Sequence, residues 1–249
     1  MNIYISIVSH GHDLMIMENP FLKEISNING LHIAIKDNVC SNDLKSFSLV
    51  NNIHYIDREP YSGFGKNNNI IFDYFSPNAE DWFLVVNPDV IITKEQMMSL
   101  IHYLEVNTEA SLFCINLFKD SECRESENSV RMFPSFLSLF SVLLGKPFNR
   151  PYNQLNLKNF DVVDWASGAF LIFRCSLYKK LNGFDVSYHM YYEDVDLCYR
   201  LKQQNQPLKF LKGVKAVHKG EYKNRSVFSK HFRWYLNSLF KFLETQRVS

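Results

Sequence analysis

Residues 2–38, NIYISIVSHGHDLMIMENPFLKEISNINGLHIAIKDN, decide the fold class. Asn2 to Val8 alternates and then fills with β-branched residues, the pattern of a buried strand, and it stops at Ser9-His10-Gly11. A helix is expected over roughly 13–27. Leu31 to Ile35 reads as a second strand closing on Asp37-Asn38, and a short helical piece leads to a third near Ile53 to Ile56. Strand and helix in alternation make a parallel sheet with crossovers. Ligands bind at the carboxyl ends of such strands, where Ser9, His10 and Asp37 fall.

The 249 residues, 46% of them hydrophobic, are enough to bury one sizeable core. A net charge of +1 argues against nucleic acid as a partner, yet the charge is uneven: residues 219–249 carry +5 and the rest −4. Five scattered cysteines without a C-x-x-C pair suit a reducing compartment and do not suggest zinc. The apolar start has no basic n-region, so no signal peptide is expected, and no run of 18 apolar residues predicts a membrane span.

Gly63-Phe64-Gly65-Lys66-Asn67-Asn68-Asn69 precedes a helix-like Ile70 to Tyr74. Its glycines permit close backbone approach, and the helix start offers N–H groups to an anion; a plain tight turn is the alternative. Trp82 to Val86 is the clearest strand, and Asn87-Pro88-Asp89 ends it. Proline stops the ladder, so Asp89 projects from the strand end, either to bind a divalent cation or to serve as a turn residue before the better cap Thr93. Lys94 to Val106 reads as an amphipathic helix, Ser111 to Leu117 as a strand and Asp120 to Ser129 as a loop. The apolar run Phe136 to Leu144 is a core helix or a flap touching lipid.

Between Asp164 and Arg200, Trp165-Ala166-Ser167-Gly168-Ala169 leads into an apolar run, Phe170 to Phe173. An aromatic run, Tyr188 to Tyr192, then meets the acids Glu193, Asp194 and Asp196 at the opening of a helix. Carboxylates placed so close to a core are costly unless the charges have a role. Asp196 and Arg200, four apart, suit a structural ion pair, and Glu193 points about 100° from Asp194. Residues 207–211 and 215–217 look like two short strands, the second ending at His218. The tail from Phe228 to Leu243 is amphipathic, with Lys230, Arg233 and Lys241 opposite the apolar arc; it docks on the domain or lies on anionic lipid.

The order of these motifs, from Ser9-His10-Gly11 through Val85-Val86-Asn87-Pro88-Asp89 and Trp165-Ala166-Ser167-Gly168-Ala169 to Tyr191-Tyr192-Glu193-Asp194-Val195-Asp196, resembles the family-2 inverting glycosyltransferases. More narrowly it resembles the bacterial rhamnosyltransferases of O-antigen assembly. The resemblance covers nearly the whole chain, including the segment from Asn224-Arg225-Ser226 to Arg233-Trp234. It implies an α/β GT-A fold, a Rossmann-like, mostly parallel sheet flanked by helices: a nucleotide-binding half (1–92), an acceptor-binding half (93–218) and a basic C-terminal segment (219–249). It also implies dTDP-rhamnose as donor, a lipid-linked saccharide as acceptor, Mg²⁺ or Mn²⁺ as cofactor and a peripheral place on the inner face of the cytoplasmic membrane. Alternatives are the same fold with a UDP-hexose or UDP-GlcNAc donor, and an inactive sugar-nucleotide-binding assembly partner.

Carried over residue by residue, Asp37 contacts the nucleotide base, and Gly65, Lys66, Asn67 and Asn68 line the nucleotide-sugar site with Ser9 at its strand end. Asp89 matches the last acid of the family's D-x-D metal motif, whose first position here is Asn87, one carboxylate fewer. His218 matches a further metal ligand, Trp165 and Gly168 face sugar or acceptor, and Asp194 matches the catalytic base, with Glu193 to orient the acceptor or bind a backbone amide.

Overall fold

The computed structural model describes residues 1–107, 111–135, 149–218, 220 and 230–248. The run Phe136 to Leu144 and the triplet Asn224-Arg225-Ser226 lie outside the described residues. Eleven described strands are β1 (Ile3–Ser9), β2 (Leu31–Asp37), β3 (His54–Ile56), β4 (Trp82–Val86), β5 (Val90–Ile91), β6 (Leu112–Phe118), β7 (Val130–Arg131), β8 (Val162–Val163), β9 (Trp165–Ala166), β10 (Phe170–Arg174) and β11 (Leu208–His218). The main sheet runs β3-β2-β1-β4-β10-β6-β11-β5, with β8 paired to β11, and β7 and β9 form a separate ribbon. As expected, β1, β2, β3 and β4 are mutually parallel. β10 runs antiparallel to both β4 and β6.

Strand alternation sorts the core into two layers. In β4, Phe83 and Val85 join the cluster on one face, and Trp82, Leu84 and Val86 the cluster on the other. β10 divides likewise, Leu171 and Phe173 against Phe170 and Ile172. Sheets covered on both faces need such continuous apolar strands. Helices α1 (Asp13–Met17), α2 (Pro20–Ile25) and α5 (Lys94–Val106) contribute to one layer. The other is built from α4 (Phe64–Phe75), α6 (Cys175–Lys180), α7 (Glu193–Gln203) and α8 (Lys230–Val248), and α3 (Asn42–Val50) packs along β3.

Three local expectations are corrected. The helix over 13–27 is two helices, because buried Asn19 leaves the helical path to accept Phe21 N–H at 3.1 Å as a cap and Pro20 starts α2. The glycine-asparagine stretch is the first half of α4 and not a loop. Asn67 and Asn68 are weak helix formers, but they are fully buried and bonded to Ser62 O and Phe64 O, which offsets that preference. The two strands expected over 207–217 are one, β11, with a register slip between Leu211 and Lys215.

The C-terminal helix docks on the domain. Leu239, Phe242 and Leu243 are buried against it, Phe242 among Phe133, Tyr192 and Tyr199. Lys241, placed on the free basic face by the helical wheel, instead pairs with Asp185 at 3.2 Å and lies 4.0 Å over the Tyr188 ring. Phe242→Ala is expected to cost about 3–5 kcal/mol, measured as a lower urea midpoint. Among the described residues no helix is long and apolar enough to cross a membrane.

Candidate active site

The sheet topology gathers the polar residues at one edge. β1, β2, β4, β6 and β11 all run the same way, so Ser9, Asp37, Asn87 and His218 emerge together, while β10, running oppositely, begins there just after Gly168. A cavity of about 560 Å³ opens at this edge, and Asn87, Asp89 and His218 line it.

Asp89 and His218 meet because the chain after Pro88 forms β5, whose Val90 pairs with His218 in the antiparallel ladder to β11. His218 Nε2 lies 3.2 Å from Asp89 Oδ1, and Gly220 N–H donates to Asp89 Oδ2 at 3.1 Å. The other imidazole nitrogen, Nδ1, is 2.8 Å from Glu127 Oε2. Glu127 arrives there because the loop after β6 folds back: Asp120 accepts the N–H groups of Glu122, Arg124 and Glu125, and Glu127 N–H bonds Leu117 O at 2.8 Å. Thr93, not Asp89, caps α5. Burial works against a charged imidazole, yet its two carboxylate partners overcome that and raise His218 to about 9. Burial also opposes ionisation of Asp89, and the His218 contact holds its carboxyl below the ordinary range.

These groups fit a divalent cation. A carboxylate and an imidazole suit a small hard or borderline ion, and Glu127 on Nδ1 is the outer partner that fixes the tautomer of a ligating histidine. Among the described residues no cluster of three or more ligands exists, so oxygens of a ligand and water would complete the shell. Glu127→Gln is expected to weaken Mn²⁺ binding about 10–100-fold, measured by calorimetry, while the fold stays intact.

The second half of the edge is Asp194. Tyr191 and Tyr192 both hold left-handed conformations, φ 70° and 67°, immediately before α7, a strained approach of the kind stored at functional sites. The first turn of α7 then presents Glu193, Asp194 and Asp196 to the positive end of its dipole. Gly168 N–H donates to Asp194 Oδ2 at 2.9 Å and Val195 N–H to Oδ1 at 2.8 Å. Glu193 is buried, and its Oε2 has no hydrogen-bond partner. Burial pushes both carboxyls up, and for Glu193 the Asp194 charge adds to the rise. With two N–H bonds on one acid and an orphaned oxygen on the other, the charge belongs on Asp194 and the proton on Glu193. Asp196 forms the expected pair with Arg200 at 2.8 Å.

The remaining candidates fall in several places. Gly168 touches Asp194 directly, and a Cβ there would meet the Phe64 ring at 3.0 Å. Ser9 is buried and accepts from His12 N–H, holding the turn that carries His10 to the cavity. Asp37 is buried and takes Val39 N–H, Ser41 N–H and the Tyr55 hydroxyl. Gly65 serves close packing, since a Cβ would lie 2.7 Å from Phe184. Lys66 is exposed and paired with Glu59, and Asn68 accepts from Ser6 Oγ at 2.6 Å. Asn67 is buried with its Oδ1 unpartnered. Trp165 is buried beside β7, its Nε1 donating to Met132 O. Of the sequence-predicted residues, Asp89 and His218 are among the described lining of the cavity. Ser9, Asp37, Gly65, Lys66, Asn67, Asn68, Trp165, Gly168, Glu193 and Asp194 are not, and Gly168 and Asp194 adjoin it through the Phe64 ring, which does line it.

Sequence reasoning missed Glu127, which nothing marked within a polar loop. It also missed what α8 supplies, His231 and Trp234, which line the cavity with His10, His189 and Tyr191. The spacing of His231 and Trp234, one helical turn, is the signal that could have found them.

No protein-family model matches the chain. It is 37% identical over 257 residues to the rhamnosyltransferase WbbL of Escherichia coli K12, an alignment covering 99% of this chain and 94% of that one. The N-acetylglucosaminyl-diphospho-decaprenol L-rhamnosyltransferase of Mycobacterium tuberculosis is 29% identical over 153 residues, 59% of this chain and 49% of its own length. The solved mannosyltransferase PcManGT from Pyrobaculum calidifontis, in complex with GDP-Man and Mn²⁺, superposes with a TM-score of 0.59 at 10% identity. That match covers 89% of this chain and 58% of that one, and it shows the fold alone. A shared order of residues running almost end to end with the E. coli enzyme, on a sheet of GT-A architecture, puts this chain in the family-2 rhamnosyltransferases.

Proposed function

We propose that the protein moves L-rhamnose from dTDP-rhamnose, with inversion, to a GlcNAc carried on a polyprenyl diphosphate, a step in O-antigen or related surface-polysaccharide assembly. What carries the reading is one observation: the topology that brings Asp89 and His218 together at a strand edge also brings Gly168 and Asp194 to it. Inverting transfer needs those two functions side by side, one for the leaving diphosphate and one for the attacking hydroxyl.

In this mechanism the acceptor hydroxyl oxygen attacks the anomeric carbon of rhamnose as the carbon–oxygen bond to the diphosphate breaks. Asp194, ionised by its two N–H bonds, takes the hydroxyl proton. Asp89 and His218 would hold Mg²⁺ or Mn²⁺, which supplies Lewis-acid stabilisation of the departing diphosphate charge. Residues 1–92 form the nucleotide half and 93–218 the acceptor half. A lipid-borne acceptor sets the work at the inner face of the cytoplasmic membrane.

The names of the two rhamnosyltransferase relatives, one of them specifying a GlcNAc-diphosphodecaprenol acceptor, support this choice of sugars. The test is a transfer assay with dTDP-rhamnose, Mg²⁺ or Mn²⁺ and a synthetic GlcNAc-diphosphate-lipid, read by product mass and anomeric coupling. A disaccharide product with the donor's configuration inverted is expected. Ready turnover of a UDP-sugar with none of dTDP-rhamnose would overturn the donor assignment.

A further inference from the structure

Two segments that the mechanism above does not use also line the cavity that holds the Asp89–His218 pair. Residues 189–191 supply His189 and Tyr191, and α8 supplies His231 and Trp234. The Trp234 ring lies 4.9 Å from His189 and 5.2 Å from His231, and the Tyr191 hydroxyl is 3.1 Å from His231 Nδ1. These rings are set in advance by the docked part of the same helix. Ser238 Oγ donates to Met190 O at 3.0 Å, and Lys241 is tied to Asp185 one turn further along.

We infer that this cluster is a pyranose subsite for the acceptor, with the Trp234 face under the sugar ring and the imidazoles and Tyr191 hydroxyl turned to its hydroxyl groups. Among the described residues no lysine or arginine lines the cavity, and this wall is built from the rings and polar edges of Trp234, Tyr191, His189 and His231. A flat aromatic face edged by imidazole and phenol hydrogen-bonding groups matches a sugar ring with an apolar face and polar rim. The wall belongs to the acceptor because its residues share a chain segment with the base: His189 and Tyr191 stand five and three positions before Asp194. It deepens the proposed transfer reaction and rests on that reading for which of the two sugars is bound.

Trp234 also provides its own reporter. Trp82 and Trp165 are buried, so Trp234 is the one tryptophan of the three in contact with the cavity. The experiment titrates a short-chain GlcNAc-diphosphate-lipid, and separately dTDP-rhamnose, into wild type, Trp234→Ala, Trp234→Phe and His231→Ala, by calorimetry and intrinsic fluorescence. For Trp234→Ala a loss of acceptor affinity of about tenfold or more is expected, with a matching rise in acceptor KM and donor affinity within about twofold. Trp234→Phe should recover most of the affinity, yet the fluorescence change seen in wild type should vanish. His231→Ala should weaken acceptor binding with donor binding spared, which keeps the test decisive if Trp234→Ala does not fold.

Unchanged acceptor affinity in the alanine variants, an equal fall in donor affinity, or no binding of the glycolipid by wild type would each overturn the subsite. The transfer proposal fails differently. If wild type binds the glycolipid through Trp234 but turns over no dTDP-rhamnose, the donor reading falls and the subsite stands. If transfer proceeds and the Trp234 variants are indifferent, the reverse holds.

Discussion

Asp194→Asn is expected to lower rhamnosyl transfer by about 10²–10⁴-fold, the usual share of a positioned general base, while dTDP-rhamnose binding is unaltered. The substitution keeps the shape and one acceptor oxygen for Gly168 N–H or Val195 N–H, but an amide cannot take a proton from the attacking hydroxyl. The matching control is Glu193→Gln, which should retain transfer within about tenfold, because Glu193 already carries the proton of the pair. It should also change stability with a definite sign. Glu193 is raised in the folded state above its ordinary 4.5, so the folded protein binds that proton more tightly than the unfolded chain. Its contribution is present below pH 4.5 and is lost as pH rises through the folded value. Glu193→Gln is therefore expected to raise the thermal midpoint at pH 8 and to leave it nearly unchanged at pH 4. Full activity in Asp194→Asn, or the roles of the two variants exchanged, would remove the assignment of the base.

How far the sequence carried this site depends on which forces place each residue. Strand periodicity set β1, β2 and β4, and Pro88 after Val86 marked where a carboxylate leaves the ladder; Asp89 was legible for that reason. The direction of β10 was not, since an apolar run reports burial on both faces and says nothing about orientation. Gly63 to Asn69 read as a turn because propensity disfavours Gly and Asn in helices, whereas the burial of Asn67 and Asn68, their amide bonds back to Ser62 O and Phe64 O, and the tertiary bond from Ser6 Oγ to Asn68 are counted by no propensity rule. Glu127 is set by a fold-back onto β6 and by its long-range contact with His218, for which there is no local pattern. Lys241 lies on the polar side of the wheel but meets Asp185 and Tyr188, partners supplied by a distant loop.

The second large effect concerns Asp89→Ala, which should abolish measurable Mn²⁺ binding and lower transfer by about 10²–10³-fold. A Lewis acid on the leaving diphosphate is worth several kcal/mol, and each tenfold in rate corresponds to about 1.36 kcal/mol. Because Asn87 stands where a second acid would help, Asp89 is, among the described residues, the one carboxylate at the Nε2 side of His218. The pH dependence of the metal affinity separates a ligand from a turn residue. Without metal, the Asp89 and Glu127 carboxylates hold a proton on His218 up to about pH 9, and a cation must displace it before the imidazole can ligate. Apparent Mn²⁺ affinity in wild type should therefore climb as pH rises toward 9, with a proton released on binding that calorimetry in buffers of different ionisation enthalpy detects. His218→Ala should flatten that climb while Asp89 still gives weak binding, whereas Asp89→Ala should leave nothing to titrate. Unchanged Mn²⁺ affinity in Asp89→Ala would return that carboxylate to an ordinary place in the turn between β4 and β5, and the leaving diphosphate would then have to be stabilised elsewhere along the edge.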